Sequence, residues 1–191
     1  MSFFGLIRGY RSSDDTAQPL RLDKATNTLQ IIEYEHHEIH AGSHFFYYDY
    51  DNEVDTGAPK YYRLTTPDNT KWIHIVFTLY SEGVGTWYLY ENPTVNAAGT
   101  TATTFNSDRN SLTAAGLVVA FDATSTADGT PLKIWRTGSG TNAATRAGGE
   151  SRSSNEIILE QAEDYFLKFV PDSDNAKTKV QFSWYEHINI A

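Results

Sequence analysis

Four of the six histidines, His36, His37, His40 and His44, crowd into the stretch Ile31 to Asp51 among tyrosines and phenylalanines. Imidazoles beside a carboxylate suit zinc, or iron in a facial triad. β-Branched and aromatic residues fill the stretch and Ala41-Gly42-Ser43 interrupts it, which predicts two strands joined by a turn. On a strand, His36, Glu38 and His40 share one face at ~7 Å steps, and His37 faces the other way. A strand-borne metal site also needs a ligand from a second strand, and only His74 and His187 remain to supply one. Glu38 separates the pair, so the rings are read as packing and hydrogen-bonding groups. No metal ligand is assigned.

Other constellations are weaker. The acidic run Asp49 to Asp55 has the oxygen density of a calcium loop. It lacks the glycine at the sixth position and the glutamate at the twelfth, and is read as a solvated turn. Asp172 to Asn175 reads as turn chemistry. No Gly-x-Ser-x-Gly elbow or phosphate-binding loop is present, and no carboxylate pair stands out from the turns. No catalytic residue and no cofactor are assigned.

The elements that position these residues read as strands. Trp72 to Tyr80 alternates, with Ile73, Ile75, Phe77 and Leu79 on one face. A turn at Ser81 to Gly85 leads into Thr86 to Glu91, which predicts a hairpin. Further strands are expected at Tyr61 to Thr65, Leu117 to Phe121, Leu132 to Arg136, Glu156 to Leu159, Tyr165 to Val170 and Lys177 to His187, with a weak one near Thr101 to Phe105. In the last long strand Val180, Phe182 and Trp184 face the core. Tyr34-Glu35-His36 recurs as Tyr185-Glu186-His187, which would allow the first and last strands to pair. Short strands at about ten-residue spacing predict an all-β fold: a single jelly-roll-like antiparallel β-sandwich over residues 31–191, preceded by an extended N-terminal arm over residues 1–30.

Composition agrees. Aromatics make up 14% of the 191 residues, and cysteine is absent, which excludes disulfides and thiol chemistry. No apolar run approaches the ~18 residues of a membrane span, and the opening MSFFGLIRGYRSSDD has too short an apolar core for a secretory signal. Residues 1–30 hold four basic and three acidic groups, net +1; the remainder holds 11 and 21, net −10. An acidic body repels a phosphate backbone, so neither nucleic acid nor a membrane is expected as partner.

Several long phrases resemble a family of small virion structural proteins of tailed bacteriophages. They are YEHHEIHAGSHFFY, YRLTTPDNTKWIHIVF, LYENPTVNAAGTTATTFNSDRNS and FVPDSDNAKTKVQFSWYEH. The resemblance spans roughly Leu20 to His187. The run His36 to His44 and the element Asn106-Ser-Asp108-Arg109-Asn110-Ser111 are its more specific parts. It implies a non-enzymatic capsid decoration or cement protein on the outer capsid surface, assembled in the host cytoplasm. Its partners would be the major capsid protein and copies of itself, as in a trimer. On that reading the arm residues Phe3, Phe4, Leu6, Ile7, Arg8, Tyr10 and Arg11 contact a neighbour, apolar groups anchoring and arginines selecting acidic partners. Arg109 is expected to brace its own loop by hydrogen bonds to carbonyls. Two other readings stay open. One is a head–tail or tail-attached structural piece. The other is a host-glycan-binding sandwich that uses Tyr47, Tyr48, Tyr50, Tyr61, Tyr62, Tyr88 and Tyr90.

Overall fold

The β-branched and aromatic runs form antiparallel strands. The computed structural model describes residues 8–10, 17–19, 34–138 and 155–188. The elements in chain order are β1 (Arg8–Tyr10), β2 (Ala17–Pro19), α1 (Tyr34–His40), β3 (His44–Val54), β4 (Lys60–Thr65), β5 (Lys71–Glu82), β6 (Gly85–Glu91), β7 (Thr94–Ala97), β8 (Thr100–Thr101) and β9 (Phe105–Asn106). They continue with β10 (Val118–Phe121), β11 (Thr124–Ala127), β12 (Thr130–Thr137), β13 (Ile157–Leu159), β14 (Asp164–Pro171) and β15 (Ala176–Ile188). Among the described residues no helix is long and apolar enough to cross a membrane.

The chain divides into two compact units, Met1–His37 and Glu38–Ala191. In the first, β1 and β2 pair antiparallel, with Arg8 opposite Pro19 and Tyr10 opposite Ala17. The rest of the expected arm, residues 1–7, 11–16 and 20–30, lies outside the described residues.

The second unit is an antiparallel sandwich. One sheet has six strands in the order β12-β6-β14-β4-β10-β8, the other five in the order β13-β5-β15-β3-β9. From β3 to β6 each strand crosses to the opposite sheet, and so do β13, β14 and β15. The alternation seen in the sequence selects the inner faces. Ile73, Ile75, Phe77 and Leu79 of β5 and Val180, Phe182 and Trp184 of β15 meet Tyr62, Leu64, Trp87, Leu89, Leu167 and Phe169 of the six-stranded sheet. The Phe182 ring contacts Tyr47, Phe77 and Tyr62 at 5.5, 5.4 and 5.7 Å, the last edge-on from across the sandwich.

Four expectations are corrected. Tyr34 to His40 is an α-helix, not a strand. Its end is fixed by a backbone closure: Ser43 N–H donates to the Glu38 carbonyl and Gly42 N–H to the Ile39 carbonyl, both at 3.0 Å. Gly42 takes the left-handed conformation (φ 70°) this closure requires. The Glu38 side chain is buried and accepts the Ser43 hydroxyl. Ala41-Gly42-Ser43 is thus a helix C-terminus. It follows that Tyr34-Glu35-His36 cannot pair as a strand with Tyr185-Glu186-His187, which lies in β15 between β5 and β3. Next, β5 and β6 form no hairpin, because each has its own partners: β13 and β15 for β5, β12 and β14 for β6. Both strands bury a large apolar face, and crossing to opposite layers lets those faces meet. Lastly, Asp49 to Asp55 is mostly strand rather than turn. Asp49 faces inward and accepts the Tyr62 hydroxyl at 2.9 Å, and Asp51 pairs with Lys60 at 3.1 Å.

A buried carboxylate ties the long excursion between β9 and β10 to β15. Glu186 accepts the backbone N–H groups of Gly116 (2.9 Å) and Leu117 (3.0 Å) and the Trp184 indole N–H (3.0 Å). Asn106, also buried, donates to the carbonyls of Gly42 (2.8 Å) and Thr113 (3.2 Å) and accepts Asp108 N–H (2.9 Å).

Two stability effects are expected. Glu186→Ala leaves two buried donors, Leu117 N–H and the Trp184 indole, and the half-buried Gly116 N–H without their acceptor, and should cost about 3 kcal/mol in urea unfolding. An unchanged midpoint would show that water replaces the carboxylate. Gly42→Ala puts a side chain at positive φ, with its Cβ 2.5 Å from Ser111 Oγ, and should cost about 1–3 kcal/mol. A loss below a few tenths would mean that the helix end relaxes freely.

Candidate functional site

The two outer faces of the sandwich carry side chains that alternation sends away from the core. On the six-stranded sheet, Tyr88, Lys168 and Tyr61 lie in one cross-strand row and Tyr90, Phe166 and Arg63 in the next. Phe166 is buried although it faces outward, because Tyr61 packs edge-on against it at 5.5 Å. Tyr88 and Tyr90 stack at 5.7 Å. Asp128, between β11 and β12, comes down on this face. It accepts Lys168 Nζ at 2.6 Å, Ser125 Oγ at 2.7 Å and the Tyr61 hydroxyl at 3.3 Å. Burial alone would raise the Asp128 pKa, but the bonds from Lys168 and Ser125 outweigh it and hold the carboxyl below its ordinary value. Burial would lower the Lys168 pKa, and the bond to Asp128 outweighs that and raises it. Arg63 grips Asp164 with two bonds of 2.9 and 2.8 Å. The tyrosines here are half-buried and clamped among charges that already have partners.

The five-stranded sheet presents a different outer face. Tyr48 and Tyr50 alternate along β3 at 59% and 53% exposure. Gln181 and Lys179 of β15 stand opposite them. Tyr48 stacks on Phe105 at 6.3 Å, and the Arg109 guanidinium covers the same Phe105 at 5.5 Å. Arg109 also reaches the Asn106 carbonyl at 3.5 Å, so it braces its own loop as expected.

At one end of this face the strand register gathers histidines. His44, Tyr185, His74 and Ile158 form one cross-strand row, and Trp72 stands opposite His187 in the next. His74 Nδ1 lies 2.6 Å from Glu156 Oε1, and the Tyr185 hydroxyl donates to the same oxygen at 2.7 Å. The Nε2 atoms of His74 and His187 are 2.8 Å apart. The His74 ring stacks on Tyr185 at 4.6 Å. His44 contacts the hydroxyls of Ser107 and Ser183 at 2.6 and 3.1 Å. Beside this cluster is a cleft of about 490 Å³ lined by Trp72, Ile158, Leu159, Glu160 and Gln161.

Of the four histidines clustered in the sequence, His44 lies in this cross-strand row. His36, His37 and His40 lie on α1, whereas His74 and His187, far apart in the chain, are brought together by β5 and β15. The available clue was that Trp72-x-His74 and Tyr185-x-His187 each place two ring side chains on the face opposite a core stripe. Of the tyrosines expected to crowd the surface, Tyr47 and Tyr62 are in the core, and burial raises both hydroxyl pKa values. Of the arm residues, Arg8 and Tyr10 lie on β1; Phe3, Phe4, Leu6, Ile7 and Arg11 lie outside the described residues. Among the described residues no set of three His, Asp or Glu side chains is arranged to hold a metal ion.

Comparisons with family models, curated proteins and solved structures find no match to this chain.

The Asp128–Lys168 pair has a definite pH signature. With its folded pKa lowered, Asp128 contributes fully above its unfolded value of about 4, and the contribution is lost as pH falls through the folded value. Lys168, with its pKa raised, contributes fully below about 10.4 and loses the contribution as pH rises through its folded value. Asp128→Asn should therefore flatten the fall in stability below about pH 4, read from urea midpoints at successive pH values. A parent-like acid slope would show that the pair is energetically silent.

Proposed function

We propose that this chain is a non-enzymatic virion structural protein of a tailed bacteriophage. On this reading it is a capsid decoration protein that binds the outer shell, bridges neighbouring major capsid protein subunits and clusters with copies of itself. The observation that carries the reading is the exposed aromatic face of the five-stranded sheet. Tyr48 and Tyr50 stand out from a strand held on both sides, and Tyr48 is already stacked on Phe105. Rings held in this way lose little conformational entropy when a partner covers them, and buried tyrosines are frequent anchors of protein interfaces. A few such rings, repeated over a symmetric lattice, give avidity without tight single contacts. The sequence resemblance supports the same class of protein.

The same tyrosines, flanked by Gln181 and Lys179, also favour a second reading as a host-glycan-binding surface. There the rings would stack on sugars and the amide and ammonium would bond hydroxyls.

Copy number on purified particles tests the first reading. Many copies per shell are expected, and a few at one vertex would reassign the protein to the neck or tail. Tyr48→Ala with Tyr50→Ala should weaken shell binding by about 2 kcal/mol or more without unfolding the chain. Removal of residues 2–22, with Phe3, Phe4, Leu6, Ile7, Arg8, Tyr10 and Arg11, should leave a folded sandwich that no longer attaches stably. If both variants saturate shells with parental affinity, neither surface is the adhesive one. Glycan-array binding by the isolated protein, lost in the tyrosine double variant, would favour the second reading.

A further inference from the structure

Alternation along β3, β15 and β5 sends every second side chain to the outer face of the five-stranded sheet, and the register sorts them into rows. Tyr50, Lys179 and Tyr80 form one row, and Tyr48, Gln181 and Thr78 the next. Lys179 and Gln181 are exposed. Arg109, just past β9, is exposed too, and its guanidinium lies 5.5 Å from the centre of the Phe105 ring on which Tyr48 stacks. Among the described residues neither Lys179 nor Arg109 has a carboxylate partner. The nearby acids are committed elsewhere. Asp49 accepts the Tyr62 hydroxyl, Asp51 pairs with Lys60, and Glu82 pairs with Lys177 at 3.1 Å. Asp108 accepts Asn110 N–H at 2.9 Å in its own turn, and Glu53 stands farther along β3. In a chain of net charge −9, this face thus sets two cations without a counter-charge beside open rings. We propose that it binds an acidic oligosaccharide, one whose sugars carry carboxylates. The inference rests on the second reading above, of these tyrosines as a sugar-binding surface, and names the class of sugar.

Each group on the face has a counterpart in such a ligand. The apolar C–H face of a sugar covers a tyrosine ring, and Tyr48 and Tyr50, alternate residues of β3, repeat that platform at ~7 Å. The Gln181 amide holds both an acceptor and donors, so it bonds hydroxyls in either sense. Lysine takes a carboxylate as a point charge and arginine takes one in its fork. Lys179 and Arg109 flank β3 from opposite sides, so a ligand that meets both is an oligosaccharide rather than a single sugar. An acidic peptide is the less suited occupant. Extended peptides gain affinity from main-chain bonds to an unpaired strand edge. The strand that carries Lys179 and Gln181, β15, is paired along both edges there. A ligand on these rows is therefore recognised by side chains alone. The acidic body beyond the patch is screened over about 8 Å at physiological salt, which leaves the local cations to decide.

The test is calorimetric titration of the full chain with galacturonic acid oligomers and with their methyl esters, which keep the rings and lose the charge. Sialyllactose against lactose repeats the comparison with a different acidic sugar. Polyglutamate supplies carboxylates without sugar rings. In at least one pair the acidic member should bind about tenfold or more tightly than the neutral one, and raised salt should remove the difference. Lys179→Gln, a change at an exposed position, should weaken the acidic ligand about tenfold and leave the neutral one unaffected. Arg109→Gln should act in the same direction. Tyr48→Ala with Tyr50→Ala should abolish binding of both members. Equal binding of acidic and neutral members, or acidic binding untouched by both cation variants, would overturn the acidic assignment and keep the sugar-binding reading. No binding to any of these sugars would overturn both. Polyglutamate bound as tightly as the acidic oligomers would make an acidic protein surface the occupant and overturn the proposal as well.

Discussion

The edge-on contact between Phe182 and Tyr62 is the point on which the two layers depend. Phe182 lies on β15, flanked in its sheet by β3 and β5, and Tyr62 lies on β4, flanked by β14 and β10. Both are fully buried. Each ring also touches Tyr47, so three aromatic side chains from two sheets share one volume. The junction also fixes strand register, because a one-residue slip of β15 or β4 within its own sheet would turn its ring to the opposite face. The Tyr62 hydroxyl would be costly to bury unpaired, and Asp49 on the opposite sheet accepts it. One residue pair thus sets both the spacing of the sheets and their register.

The connections follow from that junction. Where the chain crosses to the other sheet between successive strands, packing one strand commits the next to the facing layer. Long crossings expose backbone groups, and the fold answers with buried polar side chains rather than with more strand. Glu186 collects donors from the segment before β10, and Asn106 fastens the same excursion to the end of α1. Both side chains use several hydrogen-bonding positions at once. That is the condition under which a polar group is tolerated in a core.

Much of this was legible in the sequence, for a physical reason. Strict alternation over β5 and β15 reports burial on one face, and that face forms the core. Alternation does not report partners, and the errors fall there. Nothing in Ser81 to Gly85 says whether the chain turns back in its own sheet or crosses to the other. His74 and His187 become neighbours only through pairing of strands distant in sequence. Helix α1 was missed because seven residues are too few for a helical period to show, and the β-like residues after His44 dominate the window. Its strongest local mark was Gly42, whose role as a helix end depends on a positive φ that composition alone does not reveal. The leading segment could be read only as apolar tips and arginines, and most of it lies outside the described residues.

The two outer faces, both made from alternating strands, differ in what a partner would have to displace. On the six-stranded sheet Arg63, Lys168, Asp128 and Asp164 already satisfy one another, and the tyrosines between them are half-buried. A partner docking there would break charge-assisted bonds before gaining contact area. On the five-stranded sheet Tyr48, Tyr50 and Trp72 leave much of their surface open, and Tyr48 rests on Phe105 below it. Covering them removes apolar area from water, and the Lys177–Glu82 pair nearby is half-exposed and does not lie on the rings themselves. For equal contact area, association is cheaper on the second face. Any surface of this sandwich used for recognition is therefore best sought along β3, β15 and the neighbouring end of β5.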